Sequence, residues 1–341
     1  MPKRLLILTR RPEGAPFRQR IEPYLHALRE RGIEPEVEVL AAGARARRRQ
    51  FRRGRGFAGV LLHRKTLTWW EARALGPPQG RIALLYDFDD AVMYQARRPE
   101  RVHPDRARRF ARTVAAADLV LAGSPVLADH ARAAGARRVA VVPTGLDTSR
   151  YPPKASYEPA DGPRLVWIGS RSTLKQLARL RPVLAAVGGA ASGVRLRVIA
   201  DAPLAVDGLA VENVPWSRGA EARLLAESDV GIAPLPDTAY TRGKCGFKVL
   251  QYMAAGLPVV ASPVGVQADY VRPEETGLLA GGEAEWVEAI RRLASDANVR
   301  QRMGRAGRAR VEGEFDVRVL GPRVAGLVEE AMNSPLTHVR G

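Results

Sequence analysis

The side chains best suited to chemistry lie between Gly243 and Gly265, in the segment GKCGFKVLQYMAAGLPVVASPVG. Gly243, Lys244 and Gly246 form a loop before an apolar pattern of helical spacing. Such a loop offers free backbone N–H groups, the positive end of a helix dipole and ammonium charge, which together suit a phosphate or diphosphate. Gln251 lies deeper in the helix, where its amide could hydrogen-bond neighbouring hydroxyl groups such as those of a ribose.

A helix, a turn and a strand are predicted to position these groups. Phe247, Leu250 and Met253 recur at helical spacing and predict one packed face. Gly256 then stands at the usual C-terminal position of a helix and Pro258 prevents its continuation, so PVVAS is predicted to form a short buried strand. The side chains expected to lie away from the packed face are those of Lys248, Gln251 and Tyr252.

A second group of candidate residues follows a predicted strand in YDFDDAVMY, residues 86–94. Asp87, Asp89 and Asp90 would stand at the carboxyl edge of a parallel strand, where side chains line a cleft. Asp89 or Asp90 could orient a hydroxyl group or accept its proton. Acids that only cap loops are the structural alternative.

Further candidates are scattered along the chain. His63 in VLLHRKTLTWW also follows a predicted strand and could line a substrate site, whereas His103 in RVHPDRARR carries a weaker signal. Gly14 and Arg18, in RPEGAPFRQR, could contact phosphates across the cleft, and Trp216 could flank a nucleotide base. A structural histidine, a plain connecting loop and a core tryptophan are the respective alternatives.

The composition describes an ordinary globular chain of 341 residues, 46% of them hydrophobic, which is long enough for two domains. No apolar run approaches the roughly 18 residues that cross a bilayer. The N-terminal MPKRLLILTRRPEG predicts a strand, Leu5 to Thr9, and not a signal peptide, so we expect a soluble, cytoplasmic protein. The one cysteine, Cys245, excludes an intrachain disulfide and a cysteine-based zinc cluster; it is a buried structural residue or a reactive thiol.

Short β-rich segments alternate with amphipathic segments, which is typical of α/β domains with parallel sheets and crossover helices. The β-rich segments of the first half are RLLILT, PEVEVL, FAGVLL, RIALLYD, DLVLAG and RVAVVPTG. Those of the second half are RLVWIGS, VRLRVIAD, LAVENVPW, DVGIAPL and PVVAS. We predict two Rossmann-like domains, 1–150 and 164–319, that face each other across a cleft and are joined by a proline-rich linker at 151–163. A C-terminal helix at 320–335 is a candidate to pack back on the first domain.

Positive charge is concentrated in the first half of the chain. The formal net charge is +18, and residues 1–150 hold 30 Lys and Arg against 15 Asp and Glu. The segment GARARRRQFRRGRGF, residues 43–57, has seven arginines and no acid. Two interpretations stay open, a solvated, mobile loop or a surface, Arg45–Arg55, that contacts an anion or a membrane.

The segment DVGIAPLPDTAYTRGKCGFKVLQYMAAGLPVVASPVGVQADYVRPEETGLLA, residues 229–280, resembles the donor-binding region of the retaining GT-B glycosyltransferases of family 4. DLVLAGSPVLADHARAAGARRVAVVPTGLDTSRYPP is similar to the end of that family's N-domain, and RLVWIGSRSTLKQLARL to the start of its C-domain. The resemblance implies a GT-B fold. It also implies sugar transfer from a nucleotide-diphosphate donor, held mostly by the C-domain, to an acceptor on the N-domain, without a metal or other cofactor.

The resemblance implies roles for individual residues as well. Lys248 corresponds to the donor helix and Gln251 to the ribose-binding acid. The first loop of the C-domain, where this family commonly places an Arg/Lys pair on the phosphates, corresponds to Gly169, Arg171 and Lys175. The loop and helix start near the diphosphate correspond to Gly265 and Val266.

The sequence departs from the family pattern at three places. The family's two glutamates fall on Gly243 and Gln251, and Asp89 stands where many members carry a histidine. Gln251 can still bind ribose hydroxyls, whereas Gly243 has no side chain for a sugar hydroxyl. Asp87 and Asp89 also resemble the metal-binding pair of the other major glycosyltransferase fold, which stays an alternative.

The leading interpretation is a glycosyltransferase that retains anomeric configuration and uses a glycan, a lipid-linked sugar or a small glycoside as acceptor. The basic first domain would suit a lipid diphosphate and peripheral association with the inner face of a membrane through Arg45–Arg55. The alternative is a degenerate GT-B scaffold that binds polyanions or nucleic acid, although no nucleic-acid motif is present. Sugar epimerases and phosphorylases are a third class with such domains.

Overall fold

A computed structural model describes residues 2–75, 82–159, 161–190 and 193–334. The chain divides into two compact units. The first unit contains the residues up to Gly145, the segment Thr238–Cys245 and the residues from Val317 onward. The second contains Leu146–Asp237 and Gly246–Asp316. The chain therefore leaves the first unit twice, at Leu146 and at Gly246, and returns to it at Thr238 and at Val317.

The first unit is built on a parallel sheet of six strands in the order β2-β1-β3-β4-β7-β8. Every residue of β3 and β4 is buried, as expected for central strands covered on both faces. A two-stranded antiparallel hairpin, β5 and β6, follows β4. The strands of this unit are β1 Lys3–Thr9, β2 Ile33–Val39, β3 Gly59–His63, β4 Ala83–Phe88, β5 Tyr94–Gln95, β6 Arg98–Val102, β7 Leu119–Ala122 and β8 Val139–Val141.

Helices cover both faces of this sheet. The longest of them, Val317–Asn333, buries Leu320, Val324 and Val328 in one apolar core with Leu5 and Ile7 of β1. The other helices of the unit are Ala15–Arg20, Leu25–Glu30, Ala44–Arg53, Trp69–Leu75, Pro104–Ala116, Pro125–Ala133 and Ala239–Arg242, with 3₁₀ turns at Glu22–Tyr24 and Gly54–Gly56.

The arginine-rich segment is a helix, Ala44–Arg53, and not the mobile loop that was one of its two interpretations. The helix forms because Phe51 is fully buried beneath it, while arginine and alanine favour helical backbone. Arg47 donates to the carbonyl of Ala41, and Arg53 pairs with Glu36 and Glu38. Within this helix, the cations that stay exposed without an ion pair to a described residue are Arg45, Arg48, Arg49 and Arg52.

The second unit repeats the architecture with a parallel sheet in the order β11-β10-β9-β12-β13-β14. Its strands are β9 Arg164–Ile168, β10 Arg195–Ile199, β11 Ala210–Val214, β12 Val230–Ala233, β13 Val259–Ala261 and β14 Gly277–Leu279. Its helices are Arg171–Ala178, Arg181–Ala190, Glu221–Ala226, Phe247–Ala254, Val266–Tyr270, Glu283–Ser295 and Ala297–Glu314, with a 3₁₀ turn at Thr148–Arg150. The predicted linker, 151–163, lies within this unit, as does most of the predicted C-domain.

The helix Phe247–Ala254 is buried around most of its circumference. Gln251 and Tyr252 were expected to lie away from the packed face, yet both are buried. The Tyr252 hydroxyl accepts a hydrogen bond from the Ile168 backbone N–H and donates to the Ile232 carbonyl, which fixes the helix to strands β9 and β12. Among the described helices, none is long and apolar enough to cross a membrane.

Candidate functional site

In the second unit, Lys248 lies in the first turn of the helix Phe247–Ala254. Its ammonium nitrogen lies 4.3 Å from the ring centroid of Trp167 on β9, a cation–π contact. Trp167 is fully buried, so the lysine rests on a rigid surface. Gly246, the residue before the helix, has a φ of 60°, a left-handed conformation that favours glycine. The local backbone and the indole together position one cation of the predicted donor helix.

Gly169 lies directly beyond strand β9, beside the same indole. A Cβ atom at this position would lie 2.4 Å from a Trp167 ring carbon and 2.8 Å from the Thr173 hydroxyl oxygen, so only glycine fits. Arg171 begins the next helix, and its guanidinium donates to the Asp201 carbonyl at 3.1 Å. Lys175 is exposed in that helix. The structure therefore brings Gly169 and Lys248 to the same tryptophan and leaves Lys175 in solvent.

Gln251 belongs to a hydrogen-bonded group that the sequence did not predict. Its amide nitrogen donates to the Glu221 Oε1 atom at 2.7 Å and to the Tyr151 hydroxyl at 3.3 Å. The Tyr151 hydroxyl donates to the same Glu221 oxygen at 2.7 Å, and the Trp216 indole N–H donates to the other, Oε2, at 2.7 Å. A carboxylate thus stands beside Gln251, although position 251 itself carries none.

Glu221 and Tyr151 carry little signal in the sequence. Glu221 opens an amphipathic helix whose first turn ordinarily favours an acid, and Tyr151 lies in the proline-rich segment taken as a linker. Burial, followed by the charge of Glu221, raises the pKa of Tyr151 above its ordinary range, so this hydroxyl stays protonated and acts as a donor. Trp216 is 38% exposed, which leaves its ring open to solvent beside Glu221.

Gly265 and Val266 lie at the start of the short helix Val266–Tyr270. Gly265 has a φ of 55° and a ψ of −140°, which few residues other than glycine adopt. Val266 is 3% exposed, so its side chain is part of the core and only its backbone could contact a ligand. These two residues shape the chain without offering a reactive side chain.

In the first unit, Asp87 is engaged by a buried arginine. The Arg20 Nε atom donates to both Asp87 carboxylate oxygens, at 3.1 and 2.9 Å, and both side chains are almost fully buried. Burial raises the pKa of Asp87 to about 6, although the Arg20 charge opposes that shift. Asp87 therefore belongs to an ion pair with Arg20, whereas the two aspartates that follow pair with a different arginine.

Asp89 and Asp90 share a cation, Arg64. Its Nε atom lies 3.2 Å from Asp89 Oδ1, and its guanidinium also pairs with Asp90. Arg64 has a φ of 55°, an uncommon backbone conformation for arginine that places it beside both carboxylates. Burial raises the pKa of Asp89; the Arg64 charge opposes this shift and the Asp90 charge adds to it.

Lys244, predicted to bind phosphate, contacts Asp90 instead. Its ammonium lies 2.7 Å from Asp90 Oδ1 and 3.2 Å from the Tyr240 hydroxyl, all within the first unit. Burial acts to lower the pKa of Lys244, but the charges of Asp90 and Tyr240 and the hydrogen bonds to both groups together raise that pKa. Cys245 is buried and donates from Sγ to the Asp89 carbonyl, and burial raises its pKa, so its thiol is a structural group and not a reactive one.

His63 ends strand β3 and is 3% exposed. Its Nδ1 atom lies 2.9 Å from the Thr9 hydroxyl, while Nε2 has no hydrogen-bond partner among the residues that the structure describes. Burial, with the charges of Arg64 and Arg20, lowers the pKa of His63 to about 3, so the imidazole is neutral near pH 7. Within the part of the chain that the structure describes, no three His, Cys, Asp or Glu residues cluster in a way that could hold a metal ion.

A cavity of about 900 Å³ lies at the carboxyl edge of the first unit's sheet. Thr9, His63 and Asp90 line it at the ends of three neighbouring strands, and Gly14 and His103 contribute from the loop after β1 and the segment before the helix Pro104–Ala116. Arg18 is half-buried in the first helix and is not among the residues that line it. This cavity brings together most of the candidates predicted in the first domain.

Residues 162–296 match the family model described as Glycosyl transferases group 1. A D-inositol 3-phosphate glycosyltransferase from Actinosynnema mirum is 29% identical over 221 residues, which are 55% of this chain and 52% of that protein. The alignment therefore spans about half the length of this curated relative.

Solved structures resemble the chain over nearly its whole length. Sucrose-phosphate synthase from Thermosynechococcus elongatus has a TM-score of 0.75 at 15% identity, covering 97% of this chain and 99% of that one. HepE from Anabaena, in complex with UDP and glucose, has a TM-score of 0.72 at 16% identity, covering 96% and 100%. These likenesses establish the fold, which is GT-B, with two Rossmann-like units as predicted.

Proposed function

We propose that this chain, whose residues 162–296 form a group 1 glycosyl transferase domain on a GT-B fold, transfers a sugar from a nucleotide-diphosphate sugar to a hydroxyl acceptor. The observation that carries the proposal is the placement of Lys248 and Gly169 against one buried indole inside that domain. A fixed ammonium beside a side-chain-free loop suits the departing diphosphate.

The donor would be bound by the second unit. Lys248 would contact the diphosphate, with Arg171 and the exposed Lys175 adding positive charge at the start of the neighbouring helix. The backbone at Gly265 and Val266 would contribute N–H groups. The HepE structures contain UDP, glucose or UDP-glucose, which makes a uridine nucleotide the first donor to test.

Glu221 would supply the ribose-binding carboxylate that position 251 lacks. Its carboxylate is held by the Gln251 amide, the Tyr151 hydroxyl and the Trp216 indole, so its orientation is fixed before any ligand arrives. A half-exposed carboxylate next to an open indole ring suits a nucleoside, whose hydroxyls and base would contact the two groups. The loss of the family's second glutamate is then compatible with donor binding.

In the first unit, we assign the acceptor to the cavity that Asp90 lines. Asp90, which lines the cavity and is held by Arg64 and Lys244, would orient the acceptor hydroxyl, and the neighbouring Asp89, paired with the same Arg64, is the candidate to accept its proton. Retention of anomeric configuration and transfer without a metal complete the proposal.

Peripheral membrane association at the inner, cytoplasmic face is a separate proposal. Its support is the exposed row Arg45, Arg48, Arg49 and Arg52 on one helix, each without an ion pair among the described residues. Anionic vesicles at physiological salt should retain the wild-type chain and release the variant in which all four are alanine. Equal retention of the two proteins would contradict this role of the helix.

The donor site is tested by thermal stabilisation with UDP, GDP, ADP, CDP and dTDP, with and without Mg²⁺. A ligand that binds only the folded state at 100 times its Kd stabilises it by about 2.7 kcal/mol. We expect one diphosphate to stabilise the wild type equally with and without Mg²⁺. Lys248→Ala should lose most of that shift, because one charged hydrogen bond contributes about 1.5–3 kcal/mol.

Arg291→Ala is the matched control, since Arg291 is an exposed cation elsewhere in the second unit. Its shift should equal that of the wild type. Absence of a shift with every diphosphate, together with salt-sensitive binding to heparin or RNA, would contradict the proposed function. A shift that appears only with Mg²⁺ would contradict metal independence alone.

A further inference from the structure

The cavity of the first unit carries an excess of positive charge. Of the residues that the structure describes, five arginines line it but only two carboxylates, those of Asp90 and Asp105. Both carboxylates already have partners, because Asp90 pairs with Arg64 and Lys244, and Asp105 pairs with Arg108. The arginines of the wall are Arg10, Arg11, Arg64, Arg106 and Arg109.

Four of these guanidiniums have no carboxylate partner in the described part of the chain. Arg106 donates to the Tyr94 carbonyl at 2.7 Å, which orients it without neutralising it. Arg10 and Arg11 approach from the loop after β1, and Arg106 and Arg109 from the helix Pro104–Ala116. Two pairs of planar, permanently charged donors therefore meet one cavity from separate elements, an arrangement that suits a multiply charged oxyanion.

The wall also contains an unsatisfied buried polar group. His63 lines the cavity and is 3% exposed; within the described ranges its Nε2 has no hydrogen-bond partner, while Thr9 fixes the other ring nitrogen. Buried polar atoms without a partner are uncommon and call for an explanation such as a missing ligand. A hydroxyl group of the acceptor would provide the hydrogen-bond partner for Nε2. A cavity of about 900 Å³ has room for a molecule that carries both a hydroxyl and an anionic group.

We propose that the acceptor is a phosphate-bearing molecule, with its phosphate held by Arg10, Arg11, Arg106 and Arg109 and its hydroxyl directed toward His63 and Asp90. The inference rests on the proposed function, because it assumes that this cavity is the acceptor site. A soluble phosphate ester and a lipid phosphate headgroup present the same chemistry to these arginines.

Calorimetry with phosphate esters and their neutral parents tests the proposal. Glucose 6-phosphate and glycerol 1-phosphate would be titrated beside glucose, glycerol and glucuronate. We expect at least one ester to bind at least tenfold more tightly than its parent and than glucuronate. Arg106→Ala/Arg109→Ala should abolish that difference, whereas Arg291→Ala/Arg302→Ala, which removes equal charge from exposed positions in the second unit, should keep it.

Vesicles of phosphatidylcholine with and without phosphatidic acid distinguish the two sources. Binding to acidic vesicles that is lost in Arg106→Ala/Arg109→Ala but kept in Arg291→Ala/Arg302→Ala would indicate a lipid phosphate. Binding of soluble esters alone would indicate a free phosphate ester. The proposal is overturned if no phosphate probe binds more tightly than its neutral parent, if glucuronate binds as tightly as the esters, or if the Arg106→Ala/Arg109→Ala variant binds normally.

Stabilisation by nucleoside diphosphates separates this failure from failure of the proposed function. The Arg106→Ala/Arg109→Ala variant should respond to the diphosphate as the wild type does, because these arginines lie in the first unit. A normal nucleotide response with no preference for phosphate esters would reject the acceptor class and leave the proposed function standing. No nucleotide response in the wild type would reject the function itself.

Discussion

At the scale of single residues, the chemistry of this protein depends on charges that neighbours hold in place. Lys248 and Lys244 look equivalent in the sequence, yet one rests on an indole and the other is bound to Asp90. Residue spacing alone could indicate a cationic loop before a helix. It could not show which ammonium is already paired with a carboxylate, because Asp90 and Trp167 lie far from the two lysines in the sequence. Glu221 escaped prediction for the same reason, since its neighbour Gln251 is 30 residues away.

His63 gives a pH-dependent prediction. Its pKa of about 3 in the folded state lies below the ordinary 6.5, so the unfolded chain takes up a proton first as the pH falls. The stability that neutral His63 provides is therefore complete above about pH 6.5 and declines toward pH 3, by up to about 1.4 kcal/mol per pH unit. His63→Gln, which can keep a bond to Thr9, should lack this dependence.

Urea unfolding of both proteins at pH 7, 6 and 5 measures the difference. The pKa of Asp87 is raised to about 6, so its contribution to stability changes with pH in the opposite direction. Because that contribution is the same in both proteins, it cancels in the difference between their free energies of unfolding. The wild type should lose stability relative to the variant at each lower pH. Parallel stability curves for the two proteins would show that His63 is not held neutral.

At the scale of elements, alternation of β-rich and amphipathic segments was sufficient to predict most strands of both sheets. Local pattern was not sufficient for the arginine-rich helix, where a single apolar residue, Phe51, provides the buried contact. Nor did it give the hairpin Tyr94–Gln95 and Arg98–Val102 or the short strand Gly277–Leu279, whose few residues carry too little periodicity. These elements depend on contacts across the unit and not on their own composition.

Gly169 allows a test of how closely strand β9 and the following helix are fitted. Gly169→Ala would place a methyl group against the Trp167 ring, so we expect a loss of about 1–3 kcal/mol of stability and weaker nucleotide binding. Gly313→Ala is the control, because a Cβ atom there meets nothing within 4 Å in the helix Ala297–Glu314. That change should stabilise by about 0.5–1 kcal/mol. Equal urea midpoints for the two variants would contradict the crowding at Gly169.

At the scale of the whole molecule, each unit has its own cores on the two faces of its sheet. The sequence predicted two Rossmann-like domains from a composition break at the proline-rich segment. It did not predict that Tyr151 and Tyr157 of that segment are buried in the second unit, where the Tyr157 hydroxyl donates to the Gly256 carbonyl at 2.9 Å. A proline-rich stretch can be fixed by a few aromatic anchors, which composition does not reveal.

The final helix should govern the stability of the first unit. Leu320 is 3% exposed in its core, so Leu320→Ala should cost about 2–5 kcal/mol. Val319, the preceding residue, is 45% exposed, so Val319→Ala should change stability by less than about 0.5 kcal/mol. Hydrogen exchange should show faster opening at Leu5–Leu8 in Leu320→Ala than at Leu196–Ile199 in the second unit. Equal acceleration in both sheets would contradict the assignment of this helix to one unit.

The position of that helix also has a consequence for biosynthesis. A ribosome makes β1 before any strand of the second unit, but the helix that covers Leu5 and Ile7 emerges only after every strand of the second unit has been made. Domains often fold as they emerge, so the second unit can be complete while the first still presents an apolar sheet face to solvent. We expect the nascent chain to need chaperone protection from the synthesis of β1 until the helix Val317–Asn333 has emerged and covered that face.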